Sequence, residues 1–154
     1  MQTGVFFQDV LPLYLEQQPE RFFPLCVIAL DIDHFKHIND SFGHSSGDAT
    51  LQQIASLLRQ KLRQQDIAVR LGGEEFLLVL PRTRLEDATL VANKLRQVIA
   101  QQRLLPNQPE LVITSSFGVA YINTLADLDE GVRRADALLY KAKAEGRNQV
   151  CAES

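Results

Sequence analysis

Two short acidic groups, Asp31-Ile32-Asp33 and Glu74-Glu75, are the residues of this chain best suited to chemistry. The first closes an apolar run, and the second follows the double glycine Gly72-Gly73 between two further apolar runs. Carboxylates brought together by neighbouring strands attract a divalent cation, and Mg²⁺ typically takes one or two protein carboxylates together with phosphate oxygens. Such a site offsets the charge of a triphosphate and of leaving pyrophosphate, so the pattern points toward phosphoryl transfer. Acidic residues at strand ends and turns are also commonly just solvated, and for either group alone that reading stands beside the metal site. An EF-hand calcium loop is excluded, because Phe35 and Lys36 stand where that loop requires an oxygen ligand and a glycine. His34 and His37 have no third transition-metal ligand of the usual type nearby.

These residues depend on the elements that carry them. Leu25 to Ile32, LCVIALDI, is short, unbroken and rich in β-branched residues, the pattern of a central strand covered on both faces, with Asp31 at its C-terminal end. Ile67 to Leu71 and Phe76 to Leu80 read as a hairpin whose turn is Gly72 to Glu75, with Pro81 closing the second strand. Leu51, Ile54, Leu58 and Leu62 lie at helical spacing, predicting a long helix that starts near Gly47-Asp48 and ends near Gln64. Thr83 and Glu86 stand at capping-box spacing before a helix carrying Ala88, Ala92, Leu95 and Ile99 on one face and running out near Gln102. Leu111 to Ile122 reads as a strand with Gly118 as a bulge, and a last helix buries Val132, Ala135, Leu139 and Ala142 before Gly146. Asn148 to Cys151 adds a short final strand. At the other end, Val5 to Leu15 is loosely amphipathic and is expected to stop near Pro19. The sum is an α+β sandwich: a central, mostly antiparallel or mixed sheet of about five strands flanked by helices.

With 154 residues, 45% of them apolar, the chain is expected to form a single domain over 1–154. Its 16 basic and 19 acidic residues, a formal net charge of -3, include no basic run, so nucleic acid is a poor candidate partner. Cys26 and Cys151 have neither zinc-ligand spacing nor disulfide density, which favours a reducing compartment. No stretch is long and apolar enough to span a membrane and no signal peptide is evident, so the expectation is a cytoplasmic chain without membrane contact.

Three ordered blocks carry a resemblance. Gly72-Gly73-Glu74-Glu75-Phe76 resembles the signature of the GGDEF family of diguanylate cyclases in its GGEEF form. Upstream, Asp31-Ile32-Asp33-His34-Phe35-Lys36, Ile38-Asn39-Asp40, Phe42-Gly43-His44 and Gly47-Asp48 are similar to the family's first block at matching spacing. Downstream, Arg134-Ala135-Asp136, Leu139-Tyr140 and Lys143 through Gly146-Arg147-Asn148 are similar to its closing block, so the likeness runs over about residues 25–150.

The resemblance implies a nucleotidyl-cyclase fold like a polymerase palm, and an enzyme that condenses two GTP into cyclic di-GMP with release of two pyrophosphates. It places Mg²⁺ (or Mn²⁺) on Asp31, the carbonyl of Ile32 and Glu74. Glu75 becomes a second-metal ligand or the group that helps deprotonate the attacking 3'-hydroxyl. Asn39 and Asp48 would read guanine, whose acceptor and donor edge an amide and a carboxylate match together. Lys36, Lys143 and Arg147 would neutralise phosphates, aided by backbone N–H groups near His34 and Phe35, while Gly72 and Gly73 admit the nucleotide close to the backbone. His44 is a minor candidate for the substrate site. Read alone, these residues have simpler roles: Asn39 in a turn, Asp48 as a helix N-cap, His44 in packing, and Lys143 and Arg147 favoured by a helix C-terminus.

Arg63-Gln64-Gln65-Asp66 matches in sequence and spacing the RxxD motif through which family members bind product and are inhibited, although an ordinary helix-end ion pair has the same spacing. Lys94 or Arg96 is the candidate for a further arginine-like contact there. Because one site holds one GTP, the two reciprocal bonds imply an antiparallel homodimer. A silent domain that binds cyclic di-GMP or GTP as a receptor is the alternative. The entry to the domain departs from the family, since Met1 to Phe7 keeps only Thr3-Gly4 of the usual turn. No sensor is recognisable, so the chain is expected to be the output part of a larger protein.

Overall fold

The structure, a computed structural model, describes residues 2–3, 11–105 and 107–154. Its centre is β2 (Leu25–Ile32), every residue of which is buried. Antiparallel partners flank it on both sides, β4 (Glu75–Pro81) and β5 (Ser115–Ile122). Beyond β4 lies its hairpin partner β3 (Ile67–Gly72), then the two-residue β1 (Gln2–Thr3), parallel to β3. Beyond β5 lies β6 (Val150–Ala152), also parallel. The order β1-β3-β4-β2-β5-β6 is a mixed sheet of six strands, one more than expected.

The period-2 geometry of β2 divides the core. Cys26, Ile28, Leu30 and Ile32 face a cluster shared with α3 (Phe35–Phe42), α4 (His44–Lys61) and α5 (Leu85–Gln101). Leu25, Val27 and Ala29 face the opposite cluster, built with α1 (Leu11–Glu16), α2 (Pro19–Phe22) and α6 (Leu128–Ala144). Asp31 continues the second series and therefore emerges on the α6 side. Burial on both faces explains why β2 shows no polar alternation.

Several local expectations change. Residues 5–10 of the expected first helix lie outside the described residues; α1 covers its end and stops at Glu16, short of Pro19 as expected, and Pro19 itself opens a further helix, α2, at its first turn, where its missing N–H costs nothing. The helix expected from Gly47 starts at His44, and a separate helix, α3, fills the stretch before it. Gly43, at φ 90°, makes the corner between the two. Thr83 caps nothing: α5 has Arg84 at its N-cap position, and the Thr83 hydroxyl donates to the Pro81 carbonyl at 2.9 Å. The strand expected from Leu111 begins at Ser115. Gly118 is not a bulge; it pairs in register with Ala29 and Cys151. Glycine is needed because a Cβ would overlap the carbonyl of Ala135 and the N–H of Leu139, where α6 crosses the sheet. The bulge lies in β3, between Arg70 and Gly72.

Candidate active site at the end of the central strand

The register of β2 with β4 sets Asp31 opposite Glu75. Between the strands of the hairpin, Gly73 takes φ 52°, the positive value a tight two-residue connection demands, and Arg70 braces the tip by donating from Nε to the Gly73 carbonyl at 2.9 Å. The Ile32 N–H donates to the Glu74 carbonyl at 3.4 Å, tying the tip to the end of the central strand. Asp31, Ile32, Glu74 and Glu75 thus share one end of the sheet, with Glu75 exposed and Glu74 half-buried.

Asp31 is almost wholly enclosed. Its Oδ2 accepts a 2.6 Å hydrogen bond from Nζ of Lys143, reaching down from the last turn of α6; the side chains are 3% and 30% exposed. Burial pushes the Asp31 carboxyl up to about 6; Lys143 pulls it down, and the charges of Glu74 and Glu75 push it up again. An anionic site that already attracts a cation, built of hard oxygen donors, fits a divalent metal. Among the described residues no three His, Cys, Asp or Glu side chains converge to hold an ion unaided, so phosphate oxygens would have to complete the shell, as Mg²⁺ prefers.

Asp33, two residues on, does something else. Its Oδ2 accepts from Thr114 Oγ1 at 2.7 Å and from the Asn148 N–H at 3.0 Å, and its Oδ1 accepts from Ser116 Oγ at 2.7 Å. This buried carboxylate staples the end of β2 to β5 and to the turn after α6. Neither Thr114 nor Ser116 carries a sequence signal for this role.

His34 adopts φ 57° and caps α3 through its carbonyl, which accepts from the Ile38 N–H at 3.1 Å. As at any helix start, the N–H groups of the first turn of α3 have no acceptor within the helix and are available to an anion. Phe35 is buried beneath them, whereas Lys36 and His44 are exposed. Asn39 and Asp48 are neither turn nor cap, since both sit inside helices. Gly47 lets α3 and α4 close up, for a Cβ there would overlap Oδ1 of Asn39; this close fit sets the Asn39 amide against Gly47, the residue before Asp48. Arg147, at φ 64°, is exposed in the turn after α6, with its N–H donating to the Ala142 carbonyl at 2.9 Å.

The Arg63–Asp66 turn lies away from this end. Asp66, 3% exposed, accepts from the Arg63 N–H at 2.8 Å and from its Nη2 at 2.8 Å. The same Nη2 also donates to Thr83 Oγ1 at 2.8 Å and to the Pro81 carbonyl at 3.1 Å. A groove of about 590 Å³ opens beside the turn, bordered by Tyr14, Arg21, Phe22 and Arg82. Arg96 points elsewhere, with Nη1 3.4 Å from Asn148 Oδ1.

A profile described as diguanylate cyclase, GGDEF domain, matches residues 3–149. The chain belongs to the GGDEF family. It is 43% identical over 152 residues to diguanylate cyclase DgcP of Pseudomonas aeruginosa, covering 96% of this chain and 23% of that protein. With diguanylate cyclase A of Treponema denticola it shares 37% identity over 127 residues, 82% of this chain and 34% of the relative. The chain therefore spans between about a quarter and about a third of these two relatives. Among solved structures, the active GGEEF domain of a Vibrio cholerae diguanylate cyclase superposes with a TM-score of 0.81 at 34% identity, over 93% of this chain and 90% of that one. The GGDEF domain of DgcB from Caulobacter crescentus, solved in complex with c-di-GMP, gives a TM-score of 0.85 at 31% identity, over 97% and 90%. The α+β architecture is that of the family.

Proposed function

We propose that this GGDEF domain condenses two GTP molecules into cyclic di-GMP, releasing two pyrophosphates. The observation that carries the reading is the meeting at one end of the sheet of buried Asp31, the Glu74-Glu75 hairpin tip, the phosphate-ready start of α3 and the lysine of α6. Asp31, the Ile32 carbonyl and Glu74 would hold Mg²⁺ or Mn²⁺, which when bound polarises the α-phosphate and screens the leaving pyrophosphate. Lys36, Lys143 and Arg147, with the backbone N–H groups of Phe35 and its neighbours, bind the phosphates. Gly72 and Gly73 present backbone without side chains at the hairpin. Asn39 and Asp48 read the guanine edge and reject adenine, whose donors and acceptors are reversed there. His44 borders this pocket. Glu75 pairs with no cation among the described residues and lies open to solvent, which suits it to take the proton of the attacking 3'-hydroxyl.

One site holds one GTP, so closing both 3',5' bonds takes two chains facing each other, and the domain acts as an antiparallel homodimer. Product inhibits through Arg63 and Asp66, where a planar guanidinium and a carboxylate complement guanine and phosphate. In the free protein the two engage each other, so the nucleotide replaces contacts already made instead of filling empty valences.

The test is chromatographic analysis of purified protein, stripped of bound nucleotide, incubated at high concentration with GTP and Mg²⁺. Cyclic di-GMP from GTP but not ATP, absent with Glu74→Ala, supports the reading. GTP bound but unconverted under dimer-forming conditions would instead make the domain a receptor.

A further inference from the structure

The 2.6 Å contact between Lys143 Nζ and Asp31 Oδ2 engages one of the two carboxylate oxygens that a metal could use. Asp31 carries this contact while almost wholly buried, and no other cation reaches it among the described residues. Lys143 projects from the last turn of α6, where its backbone stays fixed, so its flexible stem can swing the ammonium without unfolding anything. We propose that Lys143 is an internal counter-ion which makes metal and nucleotide binding mutually dependent. This rests on the reading of Asp31 as a metal ligand.

Without nucleotide, a divalent ion approaching Asp31 meets a positive charge already paired with the carboxylate, and it finds too few protein ligands among the described residues to compensate. A triphosphate changes both terms at once. Its oxygens supply the missing ligands, and they offer Lys143 an alternative acceptor of higher charge. The ammonium then leaves Asp31 for phosphate as the metal takes its place, and the buried carboxylate is never left without a cation. The consequence is a positive coupling: nucleotide raises metal affinity, and by linkage metal raises nucleotide affinity by the same factor. The empty site also resists idle occupation by ions.

The test measures Mn²⁺ binding to nucleotide-free protein by electron paramagnetic resonance, with no turnover involved. Lys143→Met should bind Mn²⁺ at least about tenfold more tightly than the unaltered chain, because a positive charge has been removed from the site. Lys143→Arg should keep weak binding. Lys141→Gln removes a lysine of the same helix that reaches toward Glu145, 3.9 Å away, and should change nothing. A non-hydrolysable GTP analogue should tighten Mn²⁺ binding markedly in the unaltered chain and far less in Lys143→Met. Equal Mn²⁺ affinity in Lys143→Met and the unaltered chain, with analogue-dependent binding intact, would overturn the counter-ion role and leave the metal site standing. No Mn²⁺ binding in any form, even with the analogue, would overturn both.

Discussion

Asp31 and Asp33 are two residues apart on one chain, yet their replacement should have very different effects on stability. Asp33 accepts three hydrogen bonds, from Thr114, Ser116 and the Asn148 N–H. In Asp33→Ala these donors lose their acceptor in a buried place. A hydrogen bond to a charged group contributes about 1.5–3 kcal/mol, and with part of the loss recovered by water or rearrangement a net cost of about 3–5 kcal/mol follows. Asp31 carries one contact, to Lys143, and its charge is disfavoured by burial. Asp31→Asn removes that penalty along with the ion pair, so in metal-free protein its effect should lie within about 1 kcal/mol of zero or be stabilising. Urea denaturation followed by circular dichroism, at neutral pH with chelator, measures both. Asp33→Ala should move the midpoint strongly downward with unchanged slope, while Asp31→Asn leaves it nearly in place and removes GTP turnover. Equal losses of stability in the two variants would refute the division between a stapling aspartate and a functional one.

Further consequences follow from the same geometry. Because burial raises the folded Asp31 carboxyl from its ordinary value of 3.8 to about 6, the folded state holds its proton more tightly than the unfolded chain. Its stabilising contribution is therefore full below the unfolded value and lost as pH rises through about 6; the stability difference between metal-free wild type and Asp31→Asn should show this dependence in denaturation curves taken across that range. Gly118→Ala should lower the midpoint by roughly 2–4 kcal/mol equivalent, since its methyl group meets the backbone of α6 and not a movable side chain; a near-neutral result in the same assay would contradict the close crossing. Gly47→Ala displaces the Asn39 amide and should weaken GTP binding by about tenfold or more with a much smaller change in turnover at saturation, read as KM against kcat. Activity per molecule should rise with protein concentration, and rates independent of dilution far below the dimerisation constant would contradict the paired-site mechanism.

The parts of the fold legible in the sequence are those whose signal is local. The all-apolar run of β2, the hairpin around its double glycine, and the stripes of α5 and α6 appear where composition puts them. α3 was hidden because eight residues give barely two turns, and only Phe35 and Ile38 on it are buried. The role of Gly118 depends on α6 crossing β5, a contact no local window contains. In the site, the acidic residues and Asn39 and Asp48 stood out through their ordered blocks. What could not be read was that Asp33 staples the strand end and that Lys143 sits on Asp31, because the deciding partners, Thr114, Ser116 and Lys143, lie far along the chain. The lock on Arg63 by Thr83 was hidden likewise, since Thr83 has the spacing of a cap.

The central claim is conversion of GTP, and the most direct measurement is the ratio of pyrophosphate released to cyclic dinucleotide formed by concentrated protein given GTP and Mg²⁺. Cyclic di-GMP should form with two pyrophosphates for each molecule, and Glu74→Ala should yield neither. Pyrophosphate without a cyclic dinucleotide, or a mononucleotide cyclic product, would contradict it.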